Sequence, residues 1–401
     1  MISAPQPEAV EAGIEVLKAG GNLIDATVCA ALVQTAVDPQ MCGIAGFGNI
    51  QIFLPEKGVH TTFDFHGRAP KAVKSDIWES LIEREAEDGW GFILSGRENE
   101  FGYGSISTPR TLATLDTILN LYGTRSLKEL IQPAIEYCRN GVLIRPHMSS
   151  YWNMPATAGR DPNISMVNKF KETQKIYCDE SGLVKKVGDL LLNPDMGQLY
   201  QDIGNYGVNH FYSGEISQRI ILDMQKNGGL LAIEDLQECT PEEHPPLWGT
   251  FFDYKIATNN PPGGGVMLVE MLNILEEFDL KGMGHNSVEY IKVVSEVMKI
   301  ATIDKDTKVG DPKFTVVPTD QLTSKSYAKA HAEKIKRGDR AVVNRVNKGN
   351  PESKCTTQLV LADVSGNCVT MTHTLGQPSG VVTEGLGFMY NGAMTVFDPR
   401  P

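Results

Sequence analysis

The chain has 401 residues, of which 41% are hydrophobic and 21% are charged, as in an ordinary soluble globular protein with one large core or two smaller ones. Its net charge of -12 and the lack of a basic cluster argue against nucleic acid as a partner, and no apolar run is long enough to span a membrane. Seven scattered cysteines without a CxxC pair, and eight histidines without HxxxH or HExxH spacing, predict neither a disulfide framework nor a metal site.

The N-terminal residues 1–7 have neither a basic start nor an apolar core, so no signal peptide is predicted in this chain. The scattered cysteines favour a reducing compartment. A cytoplasmic location is therefore expected, and a periplasmic or secreted one if an upstream signal was removed.

Two helices are predicted at the start of the chain. Proline at the beginning and Gly20-Gly21 at the end predict a helix over 7–19, and Asn22 is expected to cap a second helix over about 23–37. A glycine-interrupted strand is predicted over 41–53 and another strand over 59–65.

The middle of the chain is predicted to be mainly helical, with short helices joined by loops over 150–210 and a strand over 254–258. The other predicted helices are, in chain order, 111–122, 126–138, 216–226, 266–278, 289–303 and 324–336. This pattern indicates a mixed α and β fold without internal repeats.

Residues 337–354 are polar and charged and form the best candidate for a linker. The linker leads into a predicted β-hairpin, in which two apolar runs flank a turn at 364–367 and two threonines, Thr356 and Thr357, precede the first run. A threonine at a chain N-terminus is activated as a nucleophile by its own α-amino group. That chemistry here requires a cut between Cys355 and Thr356.

A threonine pair on a hairpin is usually structural, because β-branched residues are common in strands. Three features favour a functional role here. The pair follows a polar linker, and a small-residue loop at 375–380 follows the hairpin and leaves room for a ligand. Thr370, Thr372 and Thr374 alternate along the facing strand, so their hydroxyls share one face and are available to hydrogen-bond a nucleophile.

Several short segments together carry a resemblance to a known family. They are APQPEAVEAG at 4–13, GGNLIDA at 20–26, GGLL at 228–231, EDL at 234–236, PPGGG at 261–265, MGHNS at 283–287, GDP at 310–312 and the threonine hairpin. By their order and spacing the chain resembles, nearly end to end, the γ-glutamyltranspeptidases (glutathione hydrolases), which are N-terminal-nucleophile hydrolases. The resemblance implies an α+β fold, a four-layer αββα sandwich, made as one precursor that cuts itself into a large and a small subunit.

The same resemblance implies roles for individual residues. Thr356 matches the nucleophile, which would attack the carbonyl of Cys355 to split the chain, and Thr374 matches the threonine that hydrogen-bonds it. The freed α-amino group, with an unperturbed pKa of about 7.7–8.0, is suited to act as a general base. The acyl group of a small amide substrate would pass to Thr356 and then to water or an acceptor amine, without cofactor or metal.

On this resemblance residues 1–355 form the large-subunit part of the precursor, with the linker at about 337–355. Residues 356–401 form the start of the small subunit in the same sandwich domain. The family's Ser-Ser-Met and Gly-Gly segments, which supply the oxyanion hole, would lie beyond Pro401. The chain is therefore expected to be an incomplete precursor, whose large part pairs with its own small subunit after cleavage.

The sequence departs from the family where the amino-acid end of the substrate is held. His66 stands where the family has an arginine, the nearest arginine is Arg68, and Gly376 replaces an asparagine. Ala393 and Val396 replace an amide and a carboxylate. Because charge-assisted contacts of this kind are strong, we expect poor recognition of a γ-glutamyl group. The departures favour an amidase or acylase whose acyl group lacks a free α-amino acid end, with Arg68 or His66 binding a simple carboxylate.

An alternative hypothesis is a protein on the same fold that stays unprocessed and binds a small ligand without catalysis. The replaced substrate contacts and the early end at Pro401 motivate it. Chain integrity on a denaturing gel separates the two hypotheses.

Overall fold

The computed structural model describes residues 1–87, 91–343 and 356–400. These residues form two compact units, the first made of 1–59, 63–87, 91–242 and 356–400 and the second of 60–62 and 243–343. This division differs from the predicted subunit boundary at 355/356, which stays a prediction. Cys355 and the predicted linker from residue 344 onward lie outside the described residues.

The strands in the described ranges are β1 (Ile2–Ser3), β2 (Phe47–Leu54), β3 (Val59–Phe65), β4 (Ile82–Glu85), β5 (Phe92–Leu94), β6 (Val142–Leu143), β7 (Leu190–Leu191), β8 (Glu242–His244), β9 (Leu247–Phe251), β10 (Tyr254–Thr258), β11 (Thr357–Ala362), β12 (Cys368–Thr374), β13 (Pro378–Val382) and β14 (Met389–Asn391). The helices of the first unit are α1 (Pro7–Lys18), α2 (Leu23–Val37), α3 (Thr111–Tyr122), α4 (Leu127–Leu130), α5 (Gln132–Asn140), α6 (Pro146–Trp152), α7 (Ile164–Lys169), α8 (Lys171–Tyr177), α9 (Pro194–Tyr206), α10 (Asn209–Tyr212), α11 (Glu215–Lys226) and α12 (Ile233–Gln237). Those of the second unit are α13 (Gly265–Leu275), α14 (Leu280–Met283), α15 (Val288–Lys308), α16 (Thr319–Leu322) and α17 (Lys325–Lys336). Short 3-10 helices span Pro55–Lys57, Glu79–Leu81, Ser95–Arg97, Tyr103–Ser105 and Ala393–Val396.

The first unit is built on a sheet in which neighbouring strands follow the order β1, β11, β12, β2 and β3. The pairs β1–β11, β11–β12 and β12–β2 are antiparallel. Apolar residues alternate along these strands and are buried on one face, among them Ile50, Ile52, Leu359, Leu361, Val369 and Met371. Period-two burial of this kind is what the residue pattern dictates when one face of a sheet packs against a core.

Helix α2 packs against that buried face, in contact with β11 and β12, and α1 packs against α2. All 15 residues of α2 are buried, so the helix lies inside the unit rather than on its surface. Its N-terminus is fixed by Asn22, whose side chain accepts hydrogen bonds from the backbone N–H groups of Ile24 and Asp25. The predicted cap at Asn22 is therefore confirmed.

The second unit contains the helices α13, α15 and α17, which pack together around a small apolar core. Its buried members include Ile274, Val293, Val297, Ala328 and Ala332. The antiparallel pair β9–β10 lies beside α13.

The predictions for β3 and α3 are confirmed to the residue, and α2 and β10 match the approximate bounds predicted for them. The predicted helix over 126–138 is instead two helices, because Pro133 stands at the start of α5 and cannot continue the hydrogen bonding of α4. The predicted strand over 41–53 begins only at Phe47, since residues 41–46 turn back on themselves through a hydrogen bond from Gly46 N–H to Gly43 O. Within the described ranges, no helix is both long and apolar enough to cross a membrane.

Candidate active site

The threonine hairpin brings Thr356 and Thr374 face to face. Thr357 pairs with His373 in the β11–β12 register, so one residue further Thr356 stands opposite Thr374. The Thr356 hydroxyl donates to Thr374 Oγ1 at 3.4 Å, and the backbone N–H of Gly376 donates to the same oxygen at 2.9 Å. The first distance is longer than an ordinary hydroxyl pair, but hydrogen bonds of active sites often tighten when substrate binds.

The other two threonines of β12 are arranged differently. Thr370 Oγ1 accepts a hydrogen bond from Gln358 Nε2 at 3.4 Å. Thr372 pairs with Gln358 across the ladder and is exposed. Of the three alternating hydroxyls, Thr374 is the one that meets Thr356.

The Gly376 loop and the loop at 66–68 lie against the same two residues, Phe47 and Ala393. A Cβ atom added to Gly376, which has φ +65°, would lie 3.1 Å from Cζ of Phe47. A Cβ atom added to Gly67 would lie 2.9 Å from Cβ of Ala393 and 3.8 Å from Cδ1 of Phe47. Phe47 also pairs with Thr374 in the sheet. The predicted substrate-binding positions around Gly67 and Gly376 therefore border the same aromatic ring, next to the threonine pair.

His66 and Arg68 each have an acidic neighbour. His66 Nδ1 lies 2.8 Å from Asp64 Oδ1, and Arg68 is paired with Glu242, leaving 44% of the arginine side chain exposed. Burial raises the pKa of Asp64, but hydrogen bonds from His66 and the positive charges of His66 and Arg110 outweigh burial, so the pKa of Asp64 is lowered. Asp64 therefore stays ionised at neutral pH and orients the imidazole ring.

Sequence reasoning missed Arg110, a buried arginine that holds the 66–68 loop. Its Nη1 donates to the carbonyl of His66 at 2.9 Å, and its Nη2 donates to the carbonyl of Thr240 at 2.6 Å. The same Nη2 lies 3.6 Å from Glu242 Oε1. The one sequence signal was a charged residue between Pro109 and the apolar run of α3, which is an unusual place to bury a guanidinium.

Asn391 was not singled out by the sequence analysis, and in the structure its side chain joins the segments at 45, 107 and 393. The buried amide accepts from Ser107 N–H and from Ala393 N–H, at 3.0 and 3.1 Å, and donates to Ala45 O at 2.8 Å. Ala393 is buried beside it, whereas Val396 is 54% exposed. A small apolar side chain thus stands where the resemblance implies an amide.

No metal site emerges from the part of the chain that the structure describes, since no group of three or more His, Cys, Asp or Glu side chains there is arranged to hold an ion. The chemistry available to the site is that of hydroxyls, backbone amides, an imidazole and two guanidinium groups.

Comparison with known proteins identifies the family of the chain. A family model described as gamma-glutamyltranspeptidase matches residues 9–401. The glutathione hydrolase proenzyme of Escherichia coli K12 is 30% identical over 407 residues, covering 100% of this chain and 67% of that protein. The acylase ACY 1 proenzyme of Pseudomonas sp. V22 is 31% identical over 405 residues, covering 100% of this chain and 70% of the relative.

Among solved structures, the cephalosporin acylase of Bacillus halodurans superimposes with a TM-score of 0.84 at 25% identity. The superposition covers 100% of this chain and 70% of the acylase chain. The gamma-glutamyltranspeptidase of Helicobacter pylori superimposes with a TM-score of 0.75 at 29% identity, covering 85% of this chain and 92% of that chain. Both structures are N-terminal-nucleophile hydrolases, so the predicted α+β fold of that type is confirmed. The chain belongs to the gamma-glutamyltranspeptidase family, whose named members here are hydrolases and acylases.

Proposed function

We propose that the protein is an amidohydrolase or acyltransferase whose nucleophile is Thr356, made N-terminal by autocatalytic cleavage at Cys355–Thr356. The observation that carries the proposal is the hydrogen bond of Thr356 to Thr374 at 3.4 Å, at the start of the hairpin, in a chain of this family. Thr356 is exposed and therefore accessible to a substrate, while Thr374 is buried and fixed by Gly376 N–H.

The proposed cleavage is an acyl shift followed by hydrolysis. Oγ of Thr356 adds to the carbonyl carbon of Cys355, the peptide C–N bond breaks, and an ester forms while the nitrogen takes up the proton. Water then hydrolyses the ester, leaving a carboxylate on Cys355 and a free amine and hydroxyl on Thr356. The new amine accepts the hydroxyl proton in each later turnover, which is the base that an internal threonine lacks.

In turnover, Oγ attacks the carbonyl carbon of a small amide, and the amide nitrogen leaves with the proton that the α-amine received. Water or an acceptor amine then attacks the acyl-enzyme ester, giving an acid or a new amide. Thr374 accepts the hydrogen bond of the Thr356 hydroxyl, and Gly376 N–H holds Thr374 Oγ1 in place. This contact orients the nucleophile before the attack.

For the acyl group we propose a γ-glutamyl-like or other small acyl chain that carries a terminal carboxylate and needs no α-amino group. Arg68 and His66 flank Gly67 beside the Phe47 ring, where Arg68 offers a positive charge and the His66 ring a hydrogen-bonding group for a carboxylate. The apolar Ala393 and the outward Val396 supply no negative charge for an ammonium group. Relatives named as acylases stand beside those named as glutathione hydrolases, which supports either substrate class.

The nucleophile is tested with three variants of the full protein. Thr356→Ala should remain one uncut chain without activity, whereas Thr356→Ser keeps a hydroxyl and should cut more slowly. Ser365→Ala, which removes an exposed hydroxyl from the turn of the same hairpin, should behave as wild type. Intact-mass spectrometry and N-terminal sequencing report whether a chain beginning with Thr356 appears. A wild-type protein that stays uncut would overturn the proposal and favour the ligand-binding alternative.

The acyl group is tested by comparing glutaryl-p-nitroanilide with γ-glutamyl-p-nitroanilide, which differ by one α-amino group. We expect a higher kcat/KM for the glutaryl compound. Faster turnover of the γ-glutamyl compound would show that an ammonium group is recognised, and would refute this part of the proposal.

A further inference from the structure

A glutamine lies in the last turn of the buried helix α2, directly behind the threonine hairpin. Gln34 is 0% exposed, in a helix whose other members are mostly apolar. A buried amide is costly unless its donors and acceptor find partners. The partners of Gln34 therefore indicate why the residue is there.

Gln34 joins the two strands of the hairpin at their active-site end. Its Nε2 donates to Thr357 Oγ1 at 3.1 Å, and its Oε1 lies 2.9 Å from His373 Nε2. Thr357 and His373 face each other in the ladder, one residue after Thr356 and one residue before Thr374. Because side chains alternate along a strand, Gln34 bonds Thr357 and His373 on the face of the hairpin opposite to the hydroxyls of Thr356 and Thr374.

A second buried glutamine fixes the orientation of the first. Gln34 Nε2 also donates to Gln6 Oε1 at 2.7 Å, while Gln6 Nε2 donates to Asp38 Oδ2 at 2.6 Å and to Thr357 Oγ1 at 3.1 Å. With its amide nitrogen directed at Gln6 and Thr357, Gln34 has its Oε1 free to accept a hydrogen bond from His373. Burial lowers the pKa of His373 to about 3, so its ring is neutral and donates from Nε2–H to Gln34 Oε1.

The hydrogen bonds of Gln34 to Thr357 and His373 become most important after cleavage. On one side β11 pairs with β12 up to Thr357, but on the other side β1 pairs with it at Val360 and Leu361. Once the Cys355–Thr356 bond is cut, Thr356 has no covalent anchor on its N-terminal side. Non-covalent contacts to Thr357 must then keep the nucleophile opposite Thr374.

We propose that Gln34 is a positioning residue of the reaction, which holds Thr356 within hydrogen-bonding distance of Thr374 by bonding Thr357 and His373. This inference rests on the proposed function of Thr356. Gln34 touches neither the substrate nor the reacting atoms, and acts through the two residues next to them.

The test separates positioning from general stability with three variants of the full protein. Gln34→Met removes the amide at nearly constant volume and leaves His373 Nε2 without its acceptor. The double variant Gln34→Met/His373→Leu removes the unpaired His373 Nε2 as well, which is expected to restore part of the thermal stability, while Thr357 Oγ1 and Gln6 Oε1 remain without their Gln34 donor. Thr35→Val is the matched control, because Thr35 is the next residue of α2, is equally buried, and bonds Tyr200 OH and Leu32 O instead of the hairpin.

Readouts are the time course of self-cleavage in cell-free synthesis, kcat and KM with glutaryl-p-nitroanilide, and Tm. In both Gln34 variants we expect kcat to fall by about 10²-fold, the cost of a nucleophile displaced by about 1 Å, and cleavage to slow with it, while KM changes little. Thr35→Val should lower Tm but keep kcat and the cleavage rate.

Recovery of kcat together with Tm in the double variant would overturn the inference, as would an equal loss of kcat in Thr35→Val. If the wild type turns over and Gln34→Met keeps the wild-type kcat and cleavage rate, the positioning role is refuted while the proposed function stands. A wild type that neither cuts nor turns over would remove the proposed function, and the positioning role with it.

Discussion

The side-chain carboxyls of Glu270 in α13 and Asp304 in α15 are hydrogen-bonded to each other inside the second unit. Asp304 also accepts hydrogen bonds from Lys308 Nζ at 2.7 Å and from Tyr327 OH at 2.6 Å. Burial raises the pKa of Glu270 to about 9, with further contributions from the hydrogen bond to Asp304 and from its charge. Burial also raises the pKa of Asp304, but its hydrogen bonds outweigh burial and lower it. The proton of the pair therefore belongs to Glu270.

We predict that Glu270→Gln stabilises the protein at neutral and alkaline pH. The folded pKa of Glu270 lies above the unfolded one, so its contribution to stability is present below about pH 4.5 and is lost as pH rises toward 9. A glutamine donates to Asp304 without needing a proton. The variant should gain free energy of unfolding with a slope of up to about 1.4 kcal/mol for each pH unit between 4.5 and 8, so that the gain is large at pH 8 and small at pH 5, as measured by urea unfolding.

Glu180→Gln is the control for this prediction, because Glu180 is exposed. Its free energy of unfolding should follow that of wild type across the same pH range. A constant difference between Glu270→Gln and wild type from pH 5 to 8 would show that Glu270 ionises normally.

His147 is paired with Asp38, which also accepts a hydrogen bond from the buried Gln6. His147 Nε2 lies 3.2 Å from Asp38 Oδ1, and its side chain is 45% exposed. The hydrogen bond to Asp38 raises the pKa of His147, and this outweighs partial burial and the charge of Arg145. We predict that Asp38→Asn lowers the pKa of His147, as measured by NMR titration.

Because the folded pKa of His147 is raised, its stabilising effect is present below about pH 6.5 and is lost as pH rises through the folded pKa. Solvent screening limits this effect to about 0–1 kcal/mol. His331, whose pKa burial lowers, belongs to the other unit and serves as an internal control. An unchanged His147 titration in Asp38→Asn would contradict the pairing.

Arg110 is predicted to be the most costly arginine to remove from the candidate site. Arg110→Met leaves the carbonyls of His66 and Thr240 and the carboxylate of Glu242 without this partner, in a buried place. Loss of one partner of a buried charge network typically costs about 3–5 kcal/mol. Arg110→Lys keeps the charge but does not span two carbonyls, so its loss should be intermediate.

Urea unfolding measures both Arg110 variants. Arg337→Met is the comparison, since Arg337 is 63% exposed and pairs with Asp339 at 3.3 Å. A surface pair of this kind is worth about 0–1 kcal/mol. Equal losses in Arg110→Met and Arg337→Met would show that the buried guanidinium has no special role in holding the 66–68 loop.

Two of the well-predicted helices have a clear local signal at one end. Helix α2 starts after the side-chain cap of Asn22, and α3 ends at Gly123. The hairpin register that brings Thr356 opposite Thr374 follows from the short turn between two apolar runs. These features depend on residues within a few positions of each other, which is the range over which a sequence pattern is informative.

The residues that were missed act over long separations in the sequence. Gln34 bonds His373, and Asn391 bonds Ala45. The sequence around a single polar residue in an apolar run does not indicate which distant residue it bonds. Only the packing of α2 on the sheet brings Gln34 to the hairpin. Arg110 was overlooked for the same reason, because a lone arginine is ordinarily a surface residue. Burial of polar groups is decided by tertiary structure, not by local pattern.

Arg68 allows the proposed carboxylate specificity to be tested directly. Its guanidinium is partly exposed and paired with Glu242, which also lies near Arg110. A substrate carboxylate would therefore compete with Glu242 for Arg68. Arg68→Met should raise KM for glutaryl-p-nitroanilide by about 10–100-fold, the worth of one charge-assisted contact of about 1.5–3 kcal/mol, and leave KM for butyryl-p-nitroanilide unchanged.

Two further variants sharpen this test. Glu242→Gln weakens the competing pair, so it should lower KM for the glutaryl compound, an effect that a purely structural role of Arg68 does not produce. Lys71→Met removes a neighbouring exposed cation that pairs with Glu238, and should change neither KM. If Arg68→Met raised both KM values alike, the arginine would be shaping the loop rather than binding the carboxylate, and His66 would be the remaining candidate for that contact.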